Sequence, residues 1–220
     1  MAFERERQQM MDDIDTGIEY TGSMTGRDHL QPRVRAAMIR VPREDFVPAD
    51  MLHAAFIDGA LPVGHGQTIS QPYIVALMTD LLELSDTSVV LEVGTGTGYQ
   101  AAILSQLAQQ VYTIERIPEL AESARQRLIE MRCDNVETRC SDGYLGWPEK
   151  APFDAIVVTA AAAELPAALL EQLALGGRMV IPIGLPHAHQ ELVLVTRDPQ
   201  GEIETRGILG VAFVPMVQSA

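Results

Sequence analysis

The sequence predicts an α/β fold: a doubly wound, mostly parallel sheet with extra helices before it and an antiparallel strand pair at its C-terminal end. Three observations predict it. From residue 88 onward, short apolar runs alternate with helical patterns. The runs at 89–93, 111–115 and 154–159 are mainly apolar without alternation, as strands buried on both faces require. The first run opens into Gly94-Thr95-Gly96-Thr97-Gly98, ahead of a helical stretch. Glycine there lets a ligand approach bare backbone, because it lacks Cβ and tolerates positive φ.

Ahead of the sheet, residues 3–20 read as a charged, weakly amphipathic helix, and 22–28 as a loop of glycines and small polar residues. A short helix is expected from Pro32 to Val41, with Val34, Ala37, Met38 and Val41 at i, i+3, i+4 and i+7. Another is expected at 50–57 after Pro48. Residues 61–72 read as a glycine-punctuated connection, with Ser70 fit to cap the helix at 72–84 and Pro72 in its first turn. Within the sheet, helices at 98–109, 118–131 and 164–174 are expected between strands, with a weak strand at 135–139 and another at 178–183 after Gly176-Gly177. The tail carries strand patterns at 191–197 and 207–217 around an Asp198-Pro199-Gln200-Gly201 turn, the antiparallel pair. Residues 1–220 are expected to form one domain, with 1–87 as N-terminal helices and substrate loop and 88–220 as the cofactor-binding core.

Composition narrows the function. The formal net charge of −14 repels phosphate backbones, so nucleic acid is a poor partner. No apolar run is long enough to span a membrane, and the charged N-terminus shows no signal-peptide h-region. Cys133 and Cys140 form neither a disulfide framework nor a metal-ligand pattern, which fits a reducing, cytoplasmic setting with no metal. A monomer is the expectation.

The glycine loop points to an adenosine-containing cofactor. Glu115 closes the next apolar run about twenty residues beyond Gly94, where a carboxylate can accept from ribose hydroxyls. A dinucleotide fingerprint would read Gly-x-Gly-x-x-Gly, yet here the third glycine, Gly98, comes one place early and Glu92 precedes Gly94 by two. Asp142-Gly143 follows the third strand, where a carboxylate can accept from an exocyclic amine; the pair is equally an ordinary Asp-Gly turn.

The Glu92-x-Gly94-x-Gly96-x-Gly98 form resembles the first motif of S-adenosylmethionine-dependent methyltransferases. A longer set of residues resembles the protein-L-isoaspartate O-methyltransferases in particular. It comprises Val41-Pro42-Arg43, Phe46-Val47-Pro48, 61–73, 91–100, 112–116, Asp142-Gly143, Gly146-Trp147, 153–161 and Gly176-Gly177-Arg178. The resemblance covers about 30–217, and Gln67-Thr68-Ile69-Ser70 is its most specific stretch. The chain departs from the usual pattern in its first thirty residues, at Ala162-Ala163 and at Leu175.

The resemblance implies a Rossmann-like methyltransferase fold and transfer of a methyl group from S-adenosyl-L-methionine, leaving S-adenosyl-L-homocysteine. The acceptor it implies is the free α-carboxylate of L-isoaspartyl residues in damaged proteins and peptides, a repair reaction. Ser70 is the implied catalytic residue, orienting the acceptor; His65 is left to structural support. Thr68, Ile69, Glu92, Gly94, Thr95, Gly96, Gly98, Glu115, Arg116, Asp142 and Gly143 are expected at the cofactor, with Val214 and Pro215 beside the substrate. Two other readings stay open on residues alone: a small-molecule methyltransferase with the same core, and a non-catalytic nucleoside sensor.

Overall fold

The computed structural model describes residues 3–186 and 188–217; Met1 and Ala2 of the charged start, His187 and 218–220 lie outside the described residues. Helix α1 (Glu4–Thr25) turns Met10, Met11, Ile14 and Ile18 into the interior. It is longer than its sequence pattern suggests. The helix runs through Gly22 because Thr21 and Thr25 return their hydroxyls to the carbonyls of Gly17 and Thr21, and Gly26 ends it at φ 73° by donating to Gly22 O. Helix α2 (Pro32–Arg40) buries Val34, Ala37 and Met38, as its periodicity predicts. Two 3-10 turns follow, Arg43–Phe46 and Ala49–Ala54; the second replaces the helix expected at 50–57.

The segment expected to be a plain connection is a hairpin. Strands β1 (Leu61–Gly64) and β2 (Gln67–Ile69) pair antiparallel across His65-Gly66, both at positive φ. A two-residue turn with both residues left-handed matches the natural twist of a hairpin, and period-2 patterning is too short here to be seen in advance. Helix α3 (Pro72–Leu81) follows and is buried on all sides. Ser70 does not cap it. Gln71 occupies the cap position, and Asp58 supplies the acceptor from a distance: its Oδ1 takes the Tyr73 amide at 2.9 Å and its Oδ2 takes Gln71 Nε2 at 2.8 Å.

The main sheet contains β3 (Val89–Val93), β4 (Gln110–Glu115), β5 (Val136–Cys140), β6 (Phe153–Val158), β7 (Leu173–Ile183), β8 (Gln190–Arg197) and β9 (Ile203–Val211). Their order is β5-β4-β3-β6-β7-β8-β9, with parallel pairing from β5 to β7 and antiparallel pairing for the last two contacts. Helices α4 (Tyr99–Ser105), α5 (Pro118–Glu130) and α6 (Ala167–Gln172) connect it. Both faces are covered. Val90, Ala155, Val157 and Val180 face the core shared with α1–α4, while Leu91, Ile156, Val158 and Met179 face a second core with Trp147 and Leu169. Strand β7 starts five residues earlier than expected, and its register against β6 shifts between Phe153 and Ala155. Gly177 permits that close passage, since a Cβ there would lie 2.8 Å from Ala174 O.

Strand β3 has β4 on one side and β6 on the other, so the chain leaves it in one direction and returns on the opposite side. That switch point opens a crevice at the C-terminal ends of β3 and β6, the usual ligand position of open α/β sheets.

Because Ile14 is fully buried, α1 is part of the core rather than an appendage. Ile14→Ala therefore lowers unfolding stability by about 2–5 kcal/mol, read from the urea midpoint at unchanged m.

Candidate functional site

The glycine loop leaves β3 and folds over the end of β4. The amides of Gly94 and Thr95 both donate to Ile114 O, at 2.8 and 3.2 Å. The Gly96 amide donates to Glu115 Oε2 at 2.8 Å, while Glu115 Oε1 accepts the Ile117 amide at 2.9 Å. From the other side, Thr159 at the end of β6 donates its hydroxyl to Gly94 O at 2.6 Å. Gly94 has φ 98°, and a Cβ on it would sit 2.3 Å from Thr159 Oγ1, so no larger residue fits. Gly96 is different: it has φ 54°, and a Cβ there would meet no atom within 4 Å. Its missing side chain leaves open space.

That space belongs to a cleft of about 600 Å³, mouth included. Of the residues singled out in the sequence, Thr68, Gly94, Gly96, Glu115, Arg116, Gly143, Val214 and Pro215 line it. Ile69, Thr95 and Ser70 line an adjoining recess, which shares Thr68, Gly94 and Gly96 with the cleft. A separate open groove runs between Ser70–Ile74 and the 209–213 stretch at the end of β9. Thr68 and Ser70 border both recess and groove. Among the described residues no partner holds the Ser70 hydroxyl, although its carbonyl accepts from Arg43 Nη2 at 2.8 Å.

Four placements differ from expectation, the fourth being Asp142, which lines neither cleft nor recess. Glu92 is fully buried and lines neither cleft nor recess. It pairs in register with Thr113, whose hydroxyl donates to Glu92 Oε2 and lies 2.6 Å from the Thr95 hydroxyl. Glu92 thus anchors the loop from below through two threonines. Burial, with Glu115 adding like charge, pushes its carboxyl up to about 8, and Oε1 has no partner among the described residues. Gly98 also stays out of the cleft. At φ 91° it begins α4 and packs against Leu128 and Ala124 of α5, an approach of backbone to helix that the motif alone does not distinguish from ligand contact. Val214 and Pro215, expected beside the substrate, wall the cleft that contains Glu115, while the groove is walled by 209–213. A bridge explains it: Ala161 N donates to Val214 O and Met216 N to Ala161 O, both at 2.8 Å, which draws this segment over the end of β6.

Asp142 caps a 3-10 turn (Gly143–Leu145) by accepting the Tyr144 amide at 3.0 Å, leaving Gly143 at the cleft wall. Gln172 holds the rest of this wall by accepting the Trp147 amide at 2.7 Å and donating to Leu145 O at 2.9 Å.

Sequence reasoning misses four supports. Arg43 is 1% exposed and lies over the Tyr99 ring, 4.9 Å from its centroid. Burial lowers the pKa of its guanidinium. Asp58 grips Gln71 and Tyr73. Gln190 donates to Phe213 O at 3.1 Å and accepts the Phe213 amide at 2.6 Å, pinning the groove wall. Thr21 of α1 holds the Tyr73 hydroxyl at 2.7 Å. The one signal is that Arg43 falls in the Val41-Pro42-Arg43 match to the family; its Arg43-Glu44-Asp45 run otherwise reads as a solvated charge cluster.

This strand order, with a glycine cradle at the switch point and an acidic residue ending the next strand, defines a Rossmann-like methyltransferase fold. The chain belongs to the protein-L-isoaspartate(D-aspartate) O-methyltransferase family, whose model matches residues 25–220. It is 55% identical over 207 residues to protein-L-isoaspartate O-methyltransferase 2 of Polaromonas sp., covering 94% of this chain and 98% of that one. It is 54% identical over 210 residues to the protein of the same name from Syntrophobacter fumaroxidans, covering 96% and 85%. A solved protein-L-isoaspartate O-methyltransferase superposes with a TM-score of 0.82 at 28% identity; the match covers 95% of this chain and 65% of that longer one. A Plasmodium falciparum family structure, solved with S-adenosyl-L-homocysteine, gives a TM-score of 0.77 at 24% identity over 95% of this chain and 99% of that one, which is a likeness of fold.

The raised pKa of Glu92 carries a sign. Its folded value lies above the unfolded one, so its contribution is complete below about 4.5 and is lost as pH rises to about 8. Glu92→Gln, a neutral isostere, therefore becomes more stable relative to the parent as pH rises from 5 to 8.5. The gain is a few kcal/mol in paired urea titrations, since each tenfold change in proton affinity is worth roughly 1.4 kcal/mol.

Proposed function

We propose that the chain transfers a methyl group from S-adenosyl-L-methionine to the free α-carboxylate of L-isoaspartyl residues in damaged proteins and peptides, the first step of their repair. One observation carries the reading: Ser70, whose hydroxyl has no partner among the described residues, lines both the glycine-loop recess and the open groove. A cofactor approached from one side and a peptide from the other meet at that residue.

The cleft fits the cofactor. A carboxylate offers about four acceptor positions. Glu115 uses two on backbone amides, which leaves capacity for ribose hydroxyls on the cleft side. Gly96 leaves room against the backbone, and Thr68, Ile69, Gly94, Thr95, Arg116 and Gly143 complete the walls. Asp142 does not line the cleft but adjoins Gly143, and beyond the Tyr144 amide its carboxylate keeps acceptor capacity that would serve an adenine amine. Glu92 and Gly98 act indirectly, holding the loop. Val214 and Pro215 wall the cofactor cleft and follow directly on the 209–213 stretch that walls the groove.

When bound, the cofactor supplies a methyl group on a positively charged sulfur. The acceptor needs no strong base, because a carboxylate with a pKa near 4 is ionised at pH 7. Opposite charges cancel as the methyl moves, so a site poor in water favours transfer. What remains for the protein is placement, where about 1 Å of error costs roughly a hundredfold. Ser70 can donate one hydrogen bond to the acceptor carboxylate and fix its line of approach. Among the described residues no Asp, Glu, Lys or Arg lines the groove, so it suits recognition through peptide backbone rather than side-chain charge. Collapse of the methyl ester to a succinimide then needs no residue of the enzyme. A cytoplasmic setting belongs to the same proposal and is supported by the two unpaired thiols, Cys133 and Cys140.

Two peptides differing only in aspartate or isoaspartate, incubated with methyl-labelled S-adenosylmethionine, test the reading. Base-labile label on the isoaspartyl peptide alone is expected; label on both, or on neither, overturns it. Ser70→Ala is expected to lower kcat about tenfold or more, with the affinity for S-adenosylhomocysteine kept. Gly96→Val puts a side chain into the cleft at a left-handed φ, so calorimetry is expected to show no S-adenosylhomocysteine binding, stability read from the urea midpoint falls by about 1–3 kcal/mol of strain, and circular dichroism retains the folded spectrum.

A further inference from the structure

Arg43 has an unusual environment for a guanidinium. It is buried, and among the described residues no carboxylate lies in ion-pair contact with it. Instead Nε donates to Ala55 O at 2.9 Å and Nη2 to Ser70 O at 2.8 Å, with the guanidinium lying over the Tyr99 ring. These three partners belong to three different parts of the site. Ala55 precedes the hairpin, Ser70 follows it, and Tyr99 opens the helix that leaves the glycine loop.

Burying an unpaired cation is unfavourable, and an apolar residue of similar size is usually the more stable choice in such a place. Simple packing therefore does not account for arginine here. Its planar fork does, because it holds two acceptors at a fixed spacing and stacks on a ring at the same time. Lysine cannot reproduce that geometry. On the other side of Ser70, Asp58 holds Gln71 and the Tyr73 amide. Arg43 thus holds the Ser70 carbonyl, and Asp58 ties down the Gln71 side chain and the Tyr73 amide just beyond it, while the Ser70 hydroxyl stays without a partner among the described residues.

We infer that Arg43 is a positioning residue for methyl transfer: by tying the Ser70 carbonyl to the Ala55 carbonyl and to the Tyr99 ring, it fixes the Ser70 hydroxyl relative to the glycine loop. The inference rests on the reading of Ser70 as the residue that orients the acceptor. Arg43 touches no reacting atom; it acts through the backbone of Ser70.

A double-mutant cycle on the full chain tests it, with kcat and peptide KM from steady-state methylation and S-adenosylhomocysteine Kd from calorimetry. Arg43→Lys keeps the charge and loses the fork. It is expected to lower kcat by tenfold to a hundredfold while Kd changes less than threefold. In the Ser70→Ala background the same substitution is expected to change kcat less than twofold, because the hydroxyl it positions is gone. Arg43→Gln, which leaves no charge to bury and still donates to one carbonyl, is measured in parallel and gives the same pattern if the lysine variant does not fold. An unchanged kcat for Arg43→Gln or Arg43→Lys overturns the inference, and so does a loss that multiplies in full with Ser70→Ala. A Ser70→Ala enzyme with unchanged kcat instead removes the reading of Ser70, and this inference with it; the two failures are distinguished by the single Ser70 variant.

Discussion

The grip of Glu115 on the Gly96 amide is the interaction on which the cleft depends. At φ 54° Gly96 belongs to no helix or ladder, so its N–H has no regular partner and would otherwise be orphaned. An unmade bond of this kind costs about 1–3 kcal/mol where water is excluded. Glu115 can reach it only because β3 and β4 are parallel neighbours in the register Val93↔Ile114, which brings the end of one strand beside the exit of the other. That register follows from apolar runs buried on both faces, and those faces exist because helices cover each side of the sheet. The sequence of causes runs from patterning to strand order, from strand order to Glu115, and from Glu115 to an open space beside Gly96.

Much of this is legible in the order of residues alone. The parallel strands are visible because burial on both faces leaves continuous apolar runs, and the glycine cradle because only glycine serves at Gly94 and Gly96. Boundaries fare worse where tertiary contacts decide them. Helix α1 continues past Gly22 because Thr21 and Thr25 bond back into it and Thr25 is buried. The β1–β2 hairpin is hidden because its strands are four and three residues long, too short for alternation to register. Ser70 looks like a helix cap on local grounds, yet the carboxylate of Asp58 does the capping from beyond the hairpin, a long-range choice that no local rule contains. Glu92 and Gly98 sit in the motif and are read as ligand contacts with it. Their separation from the cleft is decided by side-chain direction on β3 and by the approach of α5, neither of which a one-dimensional pattern records.

Three charged side chains of the scaffold bond to backbone, and one of them, Asp80, also pairs with Arg27 at 3.3 Å. Arg43 takes two carbonyls, Asp58 takes an amide and a side-chain amide, and Asp80 accepts the Gln31 amide at 2.7 Å. Each joins segments far apart in the chain. Desolvation opposes such arrangements, as the raised pKa of Asp80 and the lowered pKa of Arg43 show. Their return is geometric. A charged group bonded to main chain fixes the path of a loop more closely than apolar packing, which tolerates sliding.

This distribution of perturbed groups also bears on what Ser70 does. An enzyme that attacks through serine needs a base within hydrogen-bond reach of the hydroxyl and a third group to orient that base. Among the described residues Ser70 has neither. His65, the nearest histidine in sequence, sits in the hairpin turn at positive φ, where its carbonyl receives a 3.5 Å contact from Gln67. Of the buried groups whose pKa is shifted, Glu92 lies beneath the loop, Tyr99 lines the recess and Arg43 bonds the Ser70 carbonyl, but none bonds the Ser70 hydroxyl. A reaction whose acceptor is already ionised and whose donor is already activated asks for no proton transfer. On the proposed reading it asks for a fixed hydroxyl between two compartments, and Arg43 on the Ser70 carbonyl with Asp58 on Gln71 and Tyr73 hold the backbone that carries it.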